Sequence, residues 1–350
     1  MSQNRPGLVS IIVPARNEEA NLERVLRSLA GQRGVREILV VDDQSEDRTG
    51  EIAEALKSEM PFLRLLHIDS LPGGWLGKTY ALSVAGRQAK GDWLLFTDAD
   101  TEHLPGSLEA VLERAEREGA DLLSLSPGQQ TPTWWEKAVI PLIYVNLARL
   151  YRFEEVSDPK SAAAAANGQY LLIRREVYER VGGHQAIRNE ILEDVELAKR
   201  VKGSGGRLLF LPGAAWVQTR MYRTFGAMWH GWTKNLFLLY GRSPAKISRA
   251  FAELCAMDLL PQLVLIVLLA WLLSGRGNIP MLGLAMGCLL IVVLRHAGYA
   301  RAITRLGFDS RAAPWRLEGA VILAALLINS VIAYRVLEHV EWKGRRYSTL

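Results

Sequence analysis

The sequence predicts an α/β domain with a mainly parallel central sheet, joined to interfacial helices and a C-terminal transmembrane helical region. Three observations predict it. Short apolar runs alternate with helical spacings from residue 8 to 100, the pattern of strands buried on both faces between crossover helices. Two of those runs end in acidic residues. Three long apolar stretches follow residue 250, where membrane segments would lie.

Taken in order, Leu8–Val13 is the first buried strand, and Asn17 to Ala30 has helical spacing through Leu22, Val25, Leu26 and Leu29. Glu37–Val41 is the second strand, Thr49–Leu56 a helix and Leu63–His67 a third strand. Thr79–Ala89 is a helix and Trp93–Thr97 a fourth strand. Ligands of such sheets bind outside the carboxyl ends of the strands. Trp134–Lys137 opens the apolar segment Ala138–Leu150, and Met221–Tyr240 is rich in aromatic residues. Each fits either a core helix or a helix lying in a membrane interface.

Leu254–Leu273, Ile279–Leu294 and Leu317–Val336 have uninterrupted cores shorter than the roughly 20 residues of a standard span. Core helices would also fit, but three such stretches with short loops between them favour the membrane. Arg242, Lys246 and Arg249 precede the first stretch, and Arg295, Arg301, Arg305, Arg311 and Arg316 follow the second. This bias places residues 1–250 and the second loop on the cytoplasmic side of a bacterial plasma membrane. Lys343, Arg345 and Arg346 would then fall outside if all three stretches cross, so one of them being re-entrant is the alternative.

Composition narrows the function. The 350 residues are 49% apolar, which excludes a disordered chain and allows one large or two modest domains. The net charge of +5 is uneven: residues 251–350 carry 10 basic and 6 acidic side chains, whereas the first 250 carry 32 and 31. A balanced first region argues against nucleic-acid binding. The apolar run Leu8–Val13 is too short for a signal peptide, so the first domain is expected to stay in the cytoplasm. Cys255 and Cys288 sit among apolar residues and read as small hydrophobes, not as a disulfide or a zinc site.

The acidic strand ends carry the chemistry. Asp42-Asp43 ends the second strand and Asp98-Ala99-Asp100 the fourth. Such carboxylates bind a hard divalent cation with positions left for phosphate oxygens, or accept hydrogen bonds from ribose hydroxyls. Gly73-Gly74-Trp75-Leu76-Gly77-Lys78-Thr79 leads into a helix, and Lys78 there could reach a phosphate. No Gly-x-Gly-x-x-Gly follows the first strand, which disfavours a dinucleotide oxidoreductase. Pro14-Ala15-Arg16-Asn17-Glu18 stands there instead, with polar side chains suited to a nucleotide. Glu193-Asp194 fits the first turn of a helix and also a general base for a hydroxyl acceptor.

The ordered set Val9–Glu19, Val41–Ser45, Asp98-Ala99-Asp100 and Glu193-Asp194 resembles the family 2 glycosyltransferases of the GT-A fold over roughly residues 7–240. The resemblance implies a GT-A domain over 1–240, with a nucleotide-sugar half at about 7–130 and an acceptor half at about 131–240. A membrane region over 251–340 would follow, with helices near 254–273, 279–298 and 317–337. It implies inverting transfer from a nucleotide-sugar donor, usually UDP-linked, with Mg2+ or Mn2+. Pro14, Arg16, Asn17, Glu18, Asp42, Asp43, Lys78 and Asp98 would bind the donor. Asp100, with Asp98, would hold the metal, and Asp194, beside Glu193, would deprotonate the acceptor. Leu71–Lys78 and the apolar stretches look most like the membrane branch, which includes hopanoid-associated, carotenoid and ceramide glycosyltransferases, so a membrane-lipid acceptor is expected. That branch often carries Gln-or-Arg-x-x-Arg-Trp. Here Arg220 and Arg223 stand with Thr224 in place of Trp, which argues against a processive polysaccharide synthase. Arg220, Arg223 and Lys234 could assist the leaving diphosphate or form a basic helix face. Ala162–Ala166 resembles an acceptor-side segment, or is a helix of small residues. A polyprenyl-phosphate sugar transferase and a non-catalytic sugar-nucleotide or lipid-binding membrane protein are the alternatives.

Overall fold

The computed structural model describes residues 8–348. They fall into two compact units: one runs to Gln129 and resumes over Leu150–Met221, and the other comprises Gln130–Arg149 and the chain from Tyr222 on.

The first unit alternates as expected. Its elements are β1 (Val9–Ala15), α1 (Leu22–Ala30), β2 (Val35–Asp42), α2 (Thr49–Leu56), β3 (Leu63–His67), α3 (Gly77–Gln88) and β4 (Trp93–Phe96). β5 (Thr101–His103), α4 (Ser107–Arg117), β6 (Leu122–Ser126) and β7 (Gly128–Gln129) follow. A long helix of the second unit, α5 (Trp134–Leu150), interrupts them. The first unit then continues through α6 (Phe153–Ser157), β8 (Leu171–Arg174), α7 (Arg175–Arg180), α8 (Glu193–Gly203), β9 (Leu208–Pro212) and β10 (Val217–Thr219).

Seven strands form one sheet in the order β3-β2-β1-β4-β8-β6-β9. All neighbours are parallel except β8, which runs antiparallel to β4 and β6. Val9, Ile11 and Val13 pack on one face with α1, α2 and α4. Ile12, Leu39 and Val41 pack on the other with α3, α7 and α8. Both faces are therefore covered, which is why the strands read as continuous apolar runs. The strand order reverses between β1 and β4, and the crevice at such a switch point opens at the strands' carboxyl ends. A small sheet, β5-β10-β7, stands beside it.

Three local expectations change. The first helix begins at Leu22, not Asn17, because Asn17 takes a left-handed φ of 52°. Ala162–Ala166 is not helical: it runs without regular structure into the turn at Asn167. Cys288 is buried as expected, but Cys255 is only half-buried.

The second unit holds α5, α9 (Phe225–Leu239), α10 (Pro244–Leu254), α11 (Leu260–Leu273), α12 (Ile279–Arg305), α13 (Arg316–Arg335) and the hairpin β11 (His339–Trp342) and β12 (Arg345–Ser348). A wide turn at Cys255–Leu259 joins α10 to α11 just before Pro261, whose missing N–H suits such a break. Among the described residues, three helices are long and apolar enough to cross a membrane: Pro244–Leu273, Ile279–Arg305 and Ser310–Arg335. They are not alike. Half of the apolar window of the third is buried in the protein, against 17% and 11% for the first two. The third lies along α9, where Phe237 stacks on Tyr334 and Ser330 Oγ donates to the Thr233 carbonyl at 2.6 Å. α11 and α12 instead turn Leu263, Ile266, Leu284 and Leu290 outward, surfaces suited to lipid. α5 is buried over Trp135–Tyr144 except at Lys137, and α9 along the face of Met228, Trp232, Leu236 and Phe237, whereas Trp134, Leu150 and Phe225 remain exposed.

Gly319 of α13 is pressed against α5: a Cβ there would lie 2.0 Å from the Ala138 carbonyl oxygen. Gly319→Ala is expected to destabilise the chain by about 1–3 kcal/mol, the usual range for overpacking. Gly283→Ala, where a Cβ meets nothing within 4 Å, is the control. Equal thermal midpoints for the two variants would show that α5 and α13 do not approach this closely.

Candidate active site

The chain beyond β4 turns at Asp98, and α8 begins at Glu193; Lys78 of α3 bridges the two. Its Nζ lies 2.7 Å from Asp98 Oδ1 and 2.8 Å from Glu193 Oε1. Burial opposes the charge, but the two carboxylates outweigh it and hold the Lys78 pKa well above the usual lysine value. Lys78 still exposes 39% of its side chain, so a ligand from solution can reach it. The Leu76 N–H donates to the Arg188 carbonyl at 2.9 Å, which ties the start of α3 to the segment leading into α8.

Asp194 completes the group. Its Oδ2 accepts from the Gly168 N–H at 2.8 Å and its Oδ1 from the Val195 N–H at 2.8 Å. Burial pushes its pKa up to about 7, helped by the charge of Glu193 and opposed by Lys78 and the two amides. Tyr151 stands near enough that the Asp194 charge adds to burial in raising the tyrosine pKa. Gly168 was legible only as part of a segment following small residues. A Cβ on it would lie 3.2 Å from Lys78 Nζ and 3.5 Å from both Asp194 Oδ2 and Glu193 Oε1. Its loop is pinned on both sides: Thr97 Oγ1 donates to the Gln169 carbonyl at 2.8 Å, and the Asn167 N–H to Ser124 Oγ at 2.8 Å. Behind it, His103 and His184 are buried, and burial lowers both pKa values to about 3, with Lys78 adding to the effect on His184. Neither is a charged group at neutral pH.

The donor-side residues form interlocked loops at the ends of β1 and β2. Arg16 donates to the carbonyls of Asp43 at 2.7 Å and Gln44 at 3.0 Å. Asn17 Oδ1 accepts from the Glu46 N–H at 2.9 Å, and the Glu18 N–H donates to Thr49 Oγ1 at 2.8 Å. Asn17 and Gln44 both take positive φ, which a functional loop often holds. Asp42 Oδ1 accepts from the Ser45 N–H at 3.0 Å, and its Oδ2 faces His67 at 3.5 Å. Asp42 and Asp43 are both buried. Pro14 lies beyond the β1–β4 pairing, which ends at Ile12, so its missing N–H breaks no ladder bond there.

Asp100 is set by its backbone, whose carbonyl accepts from Thr219 Oγ1 at 3.1 Å and Arg24 Nη2 at 3.3 Å. Among the described residues no three His, Cys, Asp or Glu side chains are grouped to hold a metal ion. Asp98 and Asp100 offer hard oxygens two residues apart on one turn. That donor set fits a divalent cation whose remaining positions go to phosphate oxygens and water. The ammonium held by Asp98 already marks the turn as one that attracts positive charge. Arg220 follows β10 in the first unit, whereas Arg223 and Lys234 belong to the second. Thr224 caps α9, its Oγ1 accepting from the Ala227 N–H at 3.2 Å, a role that Trp could not fill.

Residues 10–182 match the family described as Glycosyl transferase family 2. The chain carries a family 2 glycosyltransferase domain. It is 30% identical over 231 residues to the 4,4'-diaponeurosporenoate glycosyltransferase of Staphylococcus haemolyticus (strain JCSC1435), covering 65% of this chain and 60% of that one. It is 26% identical over 245 residues to the protein of that name from Staphylococcus aureus (strain USA300), covering 69% of this chain and 64% of that one. The matched region thus spans less than two thirds of these relatives. A mannosyltransferase from Pyrobaculum calidifontis, solved in complex with GDP-Man and Mn2+, superposes with a TM-score of 0.55 at 19% identity, over 94% of this chain and 87% of that one. The fold is GT-A-like, with a mostly parallel central sheet.

The folded pKa of Asp194 lies above the ordinary carboxylate value. The native state therefore holds the extra proton between the two values, and stability falls as pH rises through that window, from about 4 to about 7. Lys78 lowers this pKa, so removing it extends the window upward. Lys78→Met is expected to go on losing stability as pH rises above about 7, where the wild type levels off. Thermal midpoints at each pH check this, and identical pH dependences would remove Lys78 from the surroundings of Asp194.

Proposed function

We propose that the chain transfers a sugar from a nucleotide sugar, in the first instance UDP-linked, to a hydroxyl of a membrane lipid, with inversion and with Asp194 as general base. The observation that carries this reading is the setting of Asp194: a carboxylate with a pKa of about 7, fixed by two amides and joined through Glu193 and Lys78 to the strand-end Asp98. A base works best when its pKa lies near the working pH. Asp194 takes the hydroxyl proton as the acceptor oxygen bonds to the anomeric carbon. The bond from that carbon to the diphosphate breaks, and its electron pair leaves with UDP. Attack opposite to the leaving group inverts the centre.

Asp42, Asp43 and Glu18 bind the nucleoside in this reading, within loops kept in place by Arg16, Asn17 and Pro14. Lys78 meets the diphosphate on release from Asp98 and Glu193. Asp100, with Asp98, would hold Mg2+ or Mn2+, whose charge would offset negative charge on the departing diphosphate. Arg220 and Arg223 assist the same charge. The apolar helices keep the enzyme at the membrane, with the first unit on the cytoplasmic face.

An acceptor whose oxygen is already anionic is the second reading. The diaponeurosporenoate in the name of the relatives is the observation that favours it, and a polyprenyl phosphate would share its chemistry. Such an acceptor needs no base.

Asp194→Asn is nearly isosteric and is expected to lower transfer to a lipid alcohol by about 10²–10⁴-fold, with nucleotide affinity little changed. The assay follows radiolabel from nucleotide sugars into a total lipid extract. Near-full transfer by the variant would sink the hydroxyl mechanism and move the anionic acceptor ahead. Asp100→Ala is expected to abolish transfer and the Mn2+ dependence of UDP binding while the chain still folds. A titration in which the metal dependence is unchanged would take Asp100 out of the site.

A further inference from the structure

Within the second unit, three charged side chains meet where apolar helices would exclude charge. Asp258 is buried in the turn between α10 and α11. Its Oδ2 accepts from Arg295 Nη2 at 3.0 Å, and its Oδ1 from Arg316 Nε at 2.9 Å and from Arg316 Nη2. Arg316 also donates to the Arg295 carbonyl and lies over the Tyr299 ring, 4.8 Å from its centroid. Both oxygens of the one carboxylate are thus taken, and two guanidiniums share its single charge. Arg295 Nε is buried without a hydrogen-bond partner. A buried donor on a charged group is costly to leave unmade, and ionisable groups within membrane helices usually mark a functional site.

These groups line a cavity of about 60 Å³, together with Gln262, His296 and Leu317. Its level along the helices is informative. Asp258 stands ahead of the apolar run of α11, Arg295 ends the uncharged run Ile279–Leu294, and Arg316 opens the apolar run of α13. Because α11 and α12 are joined by the short loop 274–278, all three charges lie at the same end of the uncharged runs, with Asp258 and Arg295 inside the longer helices Pro244–Leu273 and Ile279–Arg305. Arg301, Arg305 and Arg311 follow at that same end. A bilayer places the phosphates of its lipids at this boundary, and basic pockets between membrane helices bind such headgroups.

We propose that Arg295 and Arg316, oriented by Asp258, form a binding site for the phosphate of an anionic membrane-lipid headgroup. Arg295, exposed over 34% of its side chain, presents its guanidinium to the phosphate. Arg316, buried and stacked on Tyr299, supplies fixed charge. The site rests on the reading of α11 to α13 as membrane helices and not on the identity of the sugar donor or acceptor.

The test uses the full chain in neutral detergent and equilibrium binding of short-chain phosphatidylglycerol, with phosphatidylcholine and inorganic phosphate as comparisons. Saturable phosphatidylglycerol binding is expected, about tenfold or more tighter than phosphatidylcholine, whose choline opposes the arginines. Arg295→Gln leaves the Asp258–Arg316 pair in place and is expected to weaken binding about tenfold, the effect of one charge-assisted hydrogen bond. Equal affinity for the two lipids, or unchanged binding in Arg295→Gln, would overturn the proposal. Inorganic phosphate binding as tightly as phosphatidylglycerol would make the ligand a free anion and would equally overturn the lipid assignment.

Discussion

The ammonium of Lys78, 2.7 Å from Asp98 and 2.8 Å from Glu193, is the interaction on which the first unit's chemistry depends. Asp98 belongs to the end of β4 and Glu193 to the start of α8, so one cation joins the sheet edge to the helix that bears Asp194. Without it, Asp98, Glu193 and Asp194 would crowd one crevice with negative charge. With it, Asp194 is raised only to about 7, because burial and Glu193 act against Lys78 and two amides. A diphosphate brings negative charge to the same crevice and competes for the same ammonium. Donor binding and the protonation of Asp194 are coupled through this shared charge in our reading.

The second unit supplies a different constraint. α11 and α12 leave most of their apolar surface outside the protein, and α13 keeps half of its own within it. A chain with such a surface needs lipid or detergent around it. The buried contacts of α13 with α5 and α9 also bear on the basic tail, Lys343, Arg345 and Arg346. If this packed helix does not cross, the tail stays on the side that the arginine bias assigns to the second loop.

Much of the fold was legible because both faces of the sheet are covered. Leu63–His67 and Thr49–Leu56 coincide with their elements, and the remaining strands of the first 100 residues differ only at their ends. No strand beyond β4 was legible: β5, β7 and β10 have three, two and three residues, and β6, β8 and β9 only four or five, too short for a periodic signal. Loop geometry was hidden too: Asn tolerates a left-handed φ better than most residues, but its type alone does not say that Asn17 takes one and that α1 starts only at Leu22. At the site, residue types and order indicated Lys78, Asp98, Glu193 and Asp194 as candidates. Their convergence on Gly168 depends on side-chain bonds of Thr97 and Ser124 that leave no trace in the sequence. Asp258 interrupts the first apolar stretch and Arg316 precedes the third, 58 residues further on, and nothing in the sequence pairs them.

The central claim is that Asp194, tuned by burial, Glu193 and Lys78, is the group whose ionisation governs transfer. The most direct measurement is kcat/KM for sugar transfer against pH, in the wild type and in Asp194→Asn. A base must be deprotonated to act, so the wild-type rate should rise about tenfold per pH unit on the acid side and level off near pH 7, the value to which Asp194 is raised. The residual rate of Asp194→Asn should show no such ionisation. A wild-type profile that is flat across this range, or the same rise persisting in Asp194→Asn, would contradict the account.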